Sequence, residues 1–153
     1  MDRISEHISL IEATKSVTAI RLGIANIPNV DTQVKMGKVA VSCFEPVRVY
    51  FGKPIGISSF FRTLELNVAV CGSASSQHVK GEAIDIDGDI FGGVRNADIY
   101  NYIKTHLEYD QLIWEFGTDV EPDWVHVSFR EGCNRKKTLR SLKLQGVTKY
   151  VIM

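Results

Sequence analysis

Cysteine is scarce. The chain carries three, Cys43, Cys71 and Cys133, and their odd number and wide separation exclude both a self-contained disulfide framework and a CxxC zinc knuckle. Reduced, mostly structural thiols are expected, with Cys71 close enough to the first polar motif to leave a role there open. Long apolar runs are missing too: no stretch approaches the roughly 18 residues of a membrane helix. The start, "MDRISEHISLIEATKS", lacks the apolar centre of a secretory signal. A chain made in the cytoplasm without its own export signal, and with no membrane partner, is the expectation. Charge of one sign is not in surplus, since eighteen Lys and Arg balance eighteen Asp and Glu. No global field therefore draws the chain to nucleic acid, and partner choice must rest on a local site. Repeats, low-complexity tracts and linkers are absent, so 153 residues with 44% hydrophobic content read as one domain, 1–153, acting as a monomer and folding without staples.

What is there begins with periodicity. Residues 32–51 place Met36, Val39, Cys43, Val47 and Tyr50 at helical spacing, with Asp31 or Thr32 as a cap and Pro46 expected to kink or shorten the helix. "GISSFFR" (56–62) reads as a short strand and "LELNVAV" (64–70) as a helical turn. "NADIYNYIKTHL" (96–107) reads as an amphipathic helix with Asn96 as its cap. "QLIWEF", "WVHVSF" and the terminal "VTKYVIM" read as strands. Strands and helices are segregated rather than alternating, which predicts an α+β fold with a mainly antiparallel central sheet and flanking helices.

Two short polar stretches stand out, "SQHVKGEAID" (76–85) and "EPDWVHVS" (121–128). Period-two alternation puts Ala83, Asp85 and Asp87 on one face of a strand, with Ile84 and Ile86 behind. It likewise sets Trp124, His126 and Ser128 opposite Val125, Val127 and Phe129. If both strands share a sheet, Asp85 and His126 face one cleft, and Gly81 lets the chain turn so that His78 reaches it. Two imidazoles and a carboxylate fill three positions of a tetrahedral zinc ion and leave the fourth open, which is a catalytic stoichiometry. Hydrolysis also needs a base that is not a ligand. Asp123, three residues before His126 and after the bend at Pro122, is the first candidate, with Glu121 and Glu115 as alternatives. Arg62 is the best-placed cation for a developing oxyanion. Surface histidines and strand-end aspartates are common, however, and the helical HExxH motif is absent, so spacing alone leaves an ordinary reading open. Ser76 and Ser128 are candidates to orient the ligands, or to satisfy nearby backbone. The basic run "FREGCNRKKTLRSLK" (129–143) reads as a solvated face.

The motifs SxHxxGxAxD and acid-x-x-His, with tryptophan after the acid, together resemble those of the zinc D-alanyl-D-alanine peptidases. That family includes D-Ala-D-Ala carboxypeptidases, vancomycin-resistance D,D-dipeptidases and phage L-alanyl-D-glutamate endolysins. The likeness runs on through "RLGIANIPN", "EPVRVYFGKPIGISS", "FRTLELNVAVCGS", "IYNYIKTHLEYDQLIWEF" and "NRKKTLR", which are similar to a single-domain phage and bacterial branch. The resemblance implies a hedgehog/D,D-peptidase-like fold and a zinc ion held by His78, Asp85 and His126. It implies Asp123 as catalytic acid/base and Arg62 as the arginine that binds substrate and steadies the oxyanion. The implied activity is hydrolysis of a D-amino-acid-containing bond in peptidoglycan stem peptides, at the cell wall after release or as part of a phage particle. A non-catalytic zinc-stabilised wall-binding or phage structural module is the alternative. "FFRT" stands where the family commonly has a Gly-Tyr-Arg-Ser type segment, so Phe60 and Phe61 are expected to reshape the substrate groove.

Overall fold

The computed structural model describes residues 2–153. Two short helices come first, α1 (Leu10–Thr14) and α2 (Val17–Leu22). Serine caps set both: the Ser9 and Ser16 hydroxyls accept from the amides of Glu12 and Ala19 and satisfy helix-start donors that nothing else reaches. Next come α3 (Val30–Val39) and α4 (Glu45–Phe51), joined through a π turn at Ala40–Phe44. The cap of α3 is Asn29, not Asp31 or Thr32, and Pro46 does not end the helical run. In the wide turn the Glu45 amide donates to the Ala40 carbonyl five residues back. Pro46 then falls in the first turn of α4, where a missing N–H costs little.

The remaining elements are β1 (Gly56–Ser59), α5 (Leu64–Ala69), β2 (Ala83–Asp87), α6 (Asn96–His106), β3 (Gln111–Glu115), β4 (Trp124–Ser128), β5 (Lys137–Leu144) and β6 (Val147–Ile152). The fold is α+β. Its six strands form one sheet in the order β1-β2-β4-β3-β5-β6, antiparallel except for the parallel pair β3/β5. β1 is shorter than "GISSFFR" suggests, and β5 emerges from the run read as a solvated face.

Register divides the sheet into two chemically distinct faces. Ile84 pairs with Val127, Ile86 with Val125, Leu112 with Val127 and Trp114 with Val125. These six side chains are buried against Met36, Val39 and Val47 of the helical run and Ile99 and Ile103 of α6, forming the core. Phe60 and Phe61 belong to that core, at 1% and 7% exposure, and neither lines the main cavity. The expectation that they shape a groove is therefore corrected: the backbone leaves β1 after Ser59 and turns both rings inward.

Asn96 is not the cap of α6, which begins after Arg95 without a side-chain cap. Fully buried, it accepts from the Gly88 amide at 2.7 Å and donates to the Asp123 carbonyl at 3.0 Å and to the Asp87 carboxylate at 3.1 Å. One amide thus fixes the end of β2 against the start of β4. That clamp holds in place the two strands that carry the polar motifs.

Candidate metal centre and its cavity

The opposite face of the sheet carries Asp85, Ile113, Glu115, Trp124, His126, Leu139, Lys143, Thr148 and Tyr150. All of them line one open cavity of about 970 Å³. Alternation makes this set: Asp85 pairs with His126, His126 with Ile113, Ile113 with Leu139, Glu115 with Trp124 and Ser141, and Ser141 with Tyr150. The loop between α5 and β2 closes another side with Cys71, Ser73, Gln77 and His78. Gly81 makes its return possible. At φ +70° it sits where L side chains are strained, and an added Cβ would lie 2.8 and 2.9 Å from the side chain and carbonyl of Thr32 on α3.

The loop brings His78 to the cavity floor at 2% exposure. Its Nδ1 lies 2.7 Å from the Phe60 carbonyl, to which it donates, and its Nε2 lies 3.3 Å from Asp85 Oδ2. His126 Nδ1 lies 2.9 Å from Asp85 Oδ1. One ligand atom from each of the three residues falls within 4.8 Å of the others. Ligands bonded at about 2.1 Å to one tetrahedral ion stand roughly 3.4 Å apart, so these separations suit a shared cation, and two imidazoles with one carboxylate are a zinc donor set. Burial pushes the Asp85 carboxyl up, but the charges and hydrogen bonds of His78 and His126 overcome it and hold the group well below the usual carboxylate range. It is present as the anion a cation needs.

Arg62 also lines the cavity. Its amide donates to the His78 carbonyl at 3.3 Å, while its buried Nε has no partner. Burial lowers its pKa, opposed by Asp85, Glu115 and Tyr150. A buried guanidinium N–H left unpaired is costly unless something else accepts from it. Ser76 accepts from the His78 amide at 3.3 Å, whereas the Ser128 hydroxyl accepts from the Gln111 amide and serves the backbone. Cys71 is exposed on the rim and outside the group of potential ligands.

Asp123 lies at the edge of this cavity rather than among its lining residues. It is exposed and lines an adjoining recess with Phe116, Gly117, Trp124, Leu142 and Lys143, of which Phe116, Trp124 and Lys143 also line the cavity. Its amide donates to the Glu115 carbonyl at 2.9 Å, one residue out of the β3/β4 register, so Asp123 and Trp124 both stand opposite Glu115 in a bulge-like pairing. Glu121 pairs with Arg95 at 3.0 Å and is likewise elsewhere. Glu115 lines the cavity beside Asp85 and Glu82, 7% exposed and accepting from the Ser141 hydroxyl. Burial raises its pKa, with Ser141, His126 and Arg62 opposing and Asp85 adding to the rise.

A second group of potential ligands, Glu6, His7 and Glu45, lies outside the cavity. The Glu45 carboxylate there accepts from Ser5, from the His7 amide at 2.8 Å and from the His7 ring at 2.6 Å, which accounts for the cluster as an ion pair.

The family model described as Peptidase M15 matches residues 6–128, and no curated protein matches the chain. The matched span holds His78, Asp85, His126, Arg62 and Glu115. It ends before β5 and β6, which form one wall of the cavity.

Proposed function

The chain belongs to the peptidase M15 family, and from that premise we propose that it is a zinc-dependent enzyme hydrolysing a D-amino-acid-containing bond in peptidoglycan stem peptides. Cleavage is of the D-Ala-D-Ala carboxypeptidase or the L-Ala-D-Glu endopeptidase kind. The observation that carries the reading is the convergence of His78, Asp85 and His126 in a cavity that also holds the unpartnered Nε of Arg62.

In this reading His78 Nε2, an Asp85 oxygen and His126 Nδ1 hold the ion. Zinc bound there supplies a Lewis acid for the scissile carbonyl and brings water ionisation toward about pH 7. Asp85 offsets the ion's charge, and the Phe60 carbonyl keeps the His78 ring oriented through Nδ1. Arg62 donates to the carbonyl oxygen as negative charge develops on it, an interaction worth more in the transition state than in the bound substrate. Lys80, Arg130 and Lys143 line the cavity and form no ion pair among the described residues, which suits a peptide that carries carboxylates. Among the described residues no helix is long and apolar enough to cross a membrane.

The test is digestion of purified peptidoglycan by the zinc-loaded protein, read by mass spectrometry and paired with metal analysis. One zinc per chain and a single class of cleaved stem-peptide bond are expected, both lost in His126→Ala. Zinc bound with no bond cut would instead indicate a zinc-stabilised binding module.

A further inference from the structure

We propose that the hairpin of β5 and β6 carries a carboxylate-binding subsite, made by Lys143, Thr148 and Tyr150, which selects peptides that run past the scissile bond and bear an acidic group there. The proposal rests on the peptidase reading above and narrows its substrate class.

Register brings the three groups together. Thr148 stands directly across the β5/β6 ladder from Lys143, and Tyr150, next on the same face, stands across from Ser141. All three line the cavity, and Lys143 also lines the adjoining recess. Side-chain donors elsewhere on β5 are engaged: Thr138 with the Met153 carbonyl, Arg140 with Asp119 and Ser141 with Glu115. The side chains of Lys143, Thr148 and Tyr150 make no hydrogen bond or ion pair among the described residues. The acids close by leave them free, since Glu115 takes its hydrogen bond from Ser141 and Asp123, across the recess, does not pair with Lys143. An ammonium and two hydroxyls with no bound acceptor match a carboxylate, which accepts through both oxygens and donates nothing. The Tyr150 phenol keeps its proton for this, because burial and the charges of Glu115 and Asp85 push its pKa up.

Position says which carboxylate is read. His126, Ile113 and Leu139 form one cross-strand row, and Lys143 lies a further two turns of the pleat along β5 from Leu139. With about 3.3 Å per residue and about 4.8 Å per strand, its backbone is roughly 16 Å from that of His126. Even with the lysine stretched toward the potential metal ligands, a carboxylate held here is more than one residue from the bond being cut. The terminal carboxylate of a residue about to be released is closer than that. An acidic group farther along the chain fits, so the cut falls inside a longer peptide. The hairpin also lies beyond residues 6–128, so this selection belongs to the chain's own C-terminal part and not to the span matched by the family.

The test uses synthetic stem peptides in which each carboxylate in turn is replaced by a carboxamide. Binding is read by calorimetry on the full chain with zinc withheld, so that nothing is cut, and turnover is read on the zinc-loaded protein. Amidation of one carboxylate distant from the cut should weaken binding to the parent about fivefold, Lys143→Met should weaken binding of the unmodified peptide as much, and the two changes together should cost little more than either alone. In turnover Lys143→Met should raise KM by about the same factor with kcat within about twofold of the parent, and Lys143→Glu should prefer the amidated peptide. Tyr150→Phe and Thr148→Val should each weaken binding about two- to threefold, with unfolding temperature unchanged. Lys149→Met removes the same charge from a neighbouring position that lines neither the cavity nor the recess, and should bind every peptide like the parent. Additive losses, an equal loss in Lys149→Met, coupling of Lys143 only to the carboxylate of a released terminal residue, or no binding of acidic stem peptides by the parent would each overturn the subsite. If the peptides bind through Lys143 and the zinc-loaded parent cuts none of them, the subsite stands and the peptidase reading fails.

Discussion

Replacing Asp110 by asparagine removes one charge from a group that ties three segments together just behind the cavity. The carboxylate is fully buried. It accepts from Arg135 through Nε at 2.9 Å, Nη2 at 2.7 Å and the backbone amide at 3.1 Å, and from Gln77, the neighbour of His78, at 3.0 Å. Burial pushes its pKa up, but the Arg135 and Gln77 hydrogen bonds outweigh that and bring it down to about 2. Against about 3.9 in the unfolded chain, and at about 1.4 kcal/mol per unit, the charged form contributes roughly 2–3 kcal/mol to folding. The native pKa is depressed, so this stability is fully present above about pH 4 and drains away as pH falls toward 2. Urea unfolding followed by the fluorescence of buried Trp114 should therefore show Asp110→Asn less stable than the parent by about 2–3 kcal/mol at pH 7, with the gap shrinking steadily below pH 4. Other titrating groups are common to both proteins and cancel in the difference. A gap that is absent at pH 7, or that stays constant or widens in acid, would refute the account.

Two further substitutions test how the fold serves the site. Phe60→Ala should cost about 3–5 kcal/mol in urea unfolding because the ring is wholly buried; a loss below about 1 kcal/mol with altered peptide preference would return Phe60 to the groove. Gly81→Ala adds left-handed strain and a methyl too close to Thr32, for about 2–4 kcal/mol in all. Because Gly81 turns the loop that carries His78, zinc affinity measured by competition with a chelator should fall with it, and a variant as stable and as tight for zinc as the parent would show that the turn is not what places His78.

The trio was legible because alternation in "EAIDID" and "WVHVSF" assigns Asp85 and His126 to polar faces whichever partners the strands find. Only their sharing of a sheet had to be assumed, and they turn out to be direct cross-strand neighbours. The surroundings of Asp123 were less legible by the same rule. Period two does not carry back to Asp123, whose amide bonds the Glu115 carbonyl one residue out of the ladder's register. In "QLIWEF" the rule does carry, since Leu112 and Trp114 alternate with Ile113 and Glu115. Setting Glu115 opposite Trp124 requires the register of a hairpin whose loop is too long for turn type to fix. The helices α1 and α2 are too short to show periodicity, although Ser9 and Glu12 carry the S-x-x-E start signature. In β5 the lysines and arginines of the flanking run mask the alternation of Leu139, Ser141 and Lys143 with their neighbours.

The cavity is thus assembled from two parts of the chain with different kinds of legibility. Residues 6–128, the span matched by the family, supply the potential metal ligands, Arg62 and Glu115 to the cavity. The hairpin of β5 and β6 lies beyond that span, yet Ser141 holds Glu115 and Lys143, Thr148 and Tyr150 line the wall. The Tyr150 phenol is pushed up by burial and by the charges of Glu115 and Asp85, so it stays protonated and able to donate at neutral pH. A parallel pairing of β5 with β3 puts these residues beside the reacting face. Motifs therefore identify the family, while one wall of the cavity comes from a hairpin whose placement is set by long-range strand pairing.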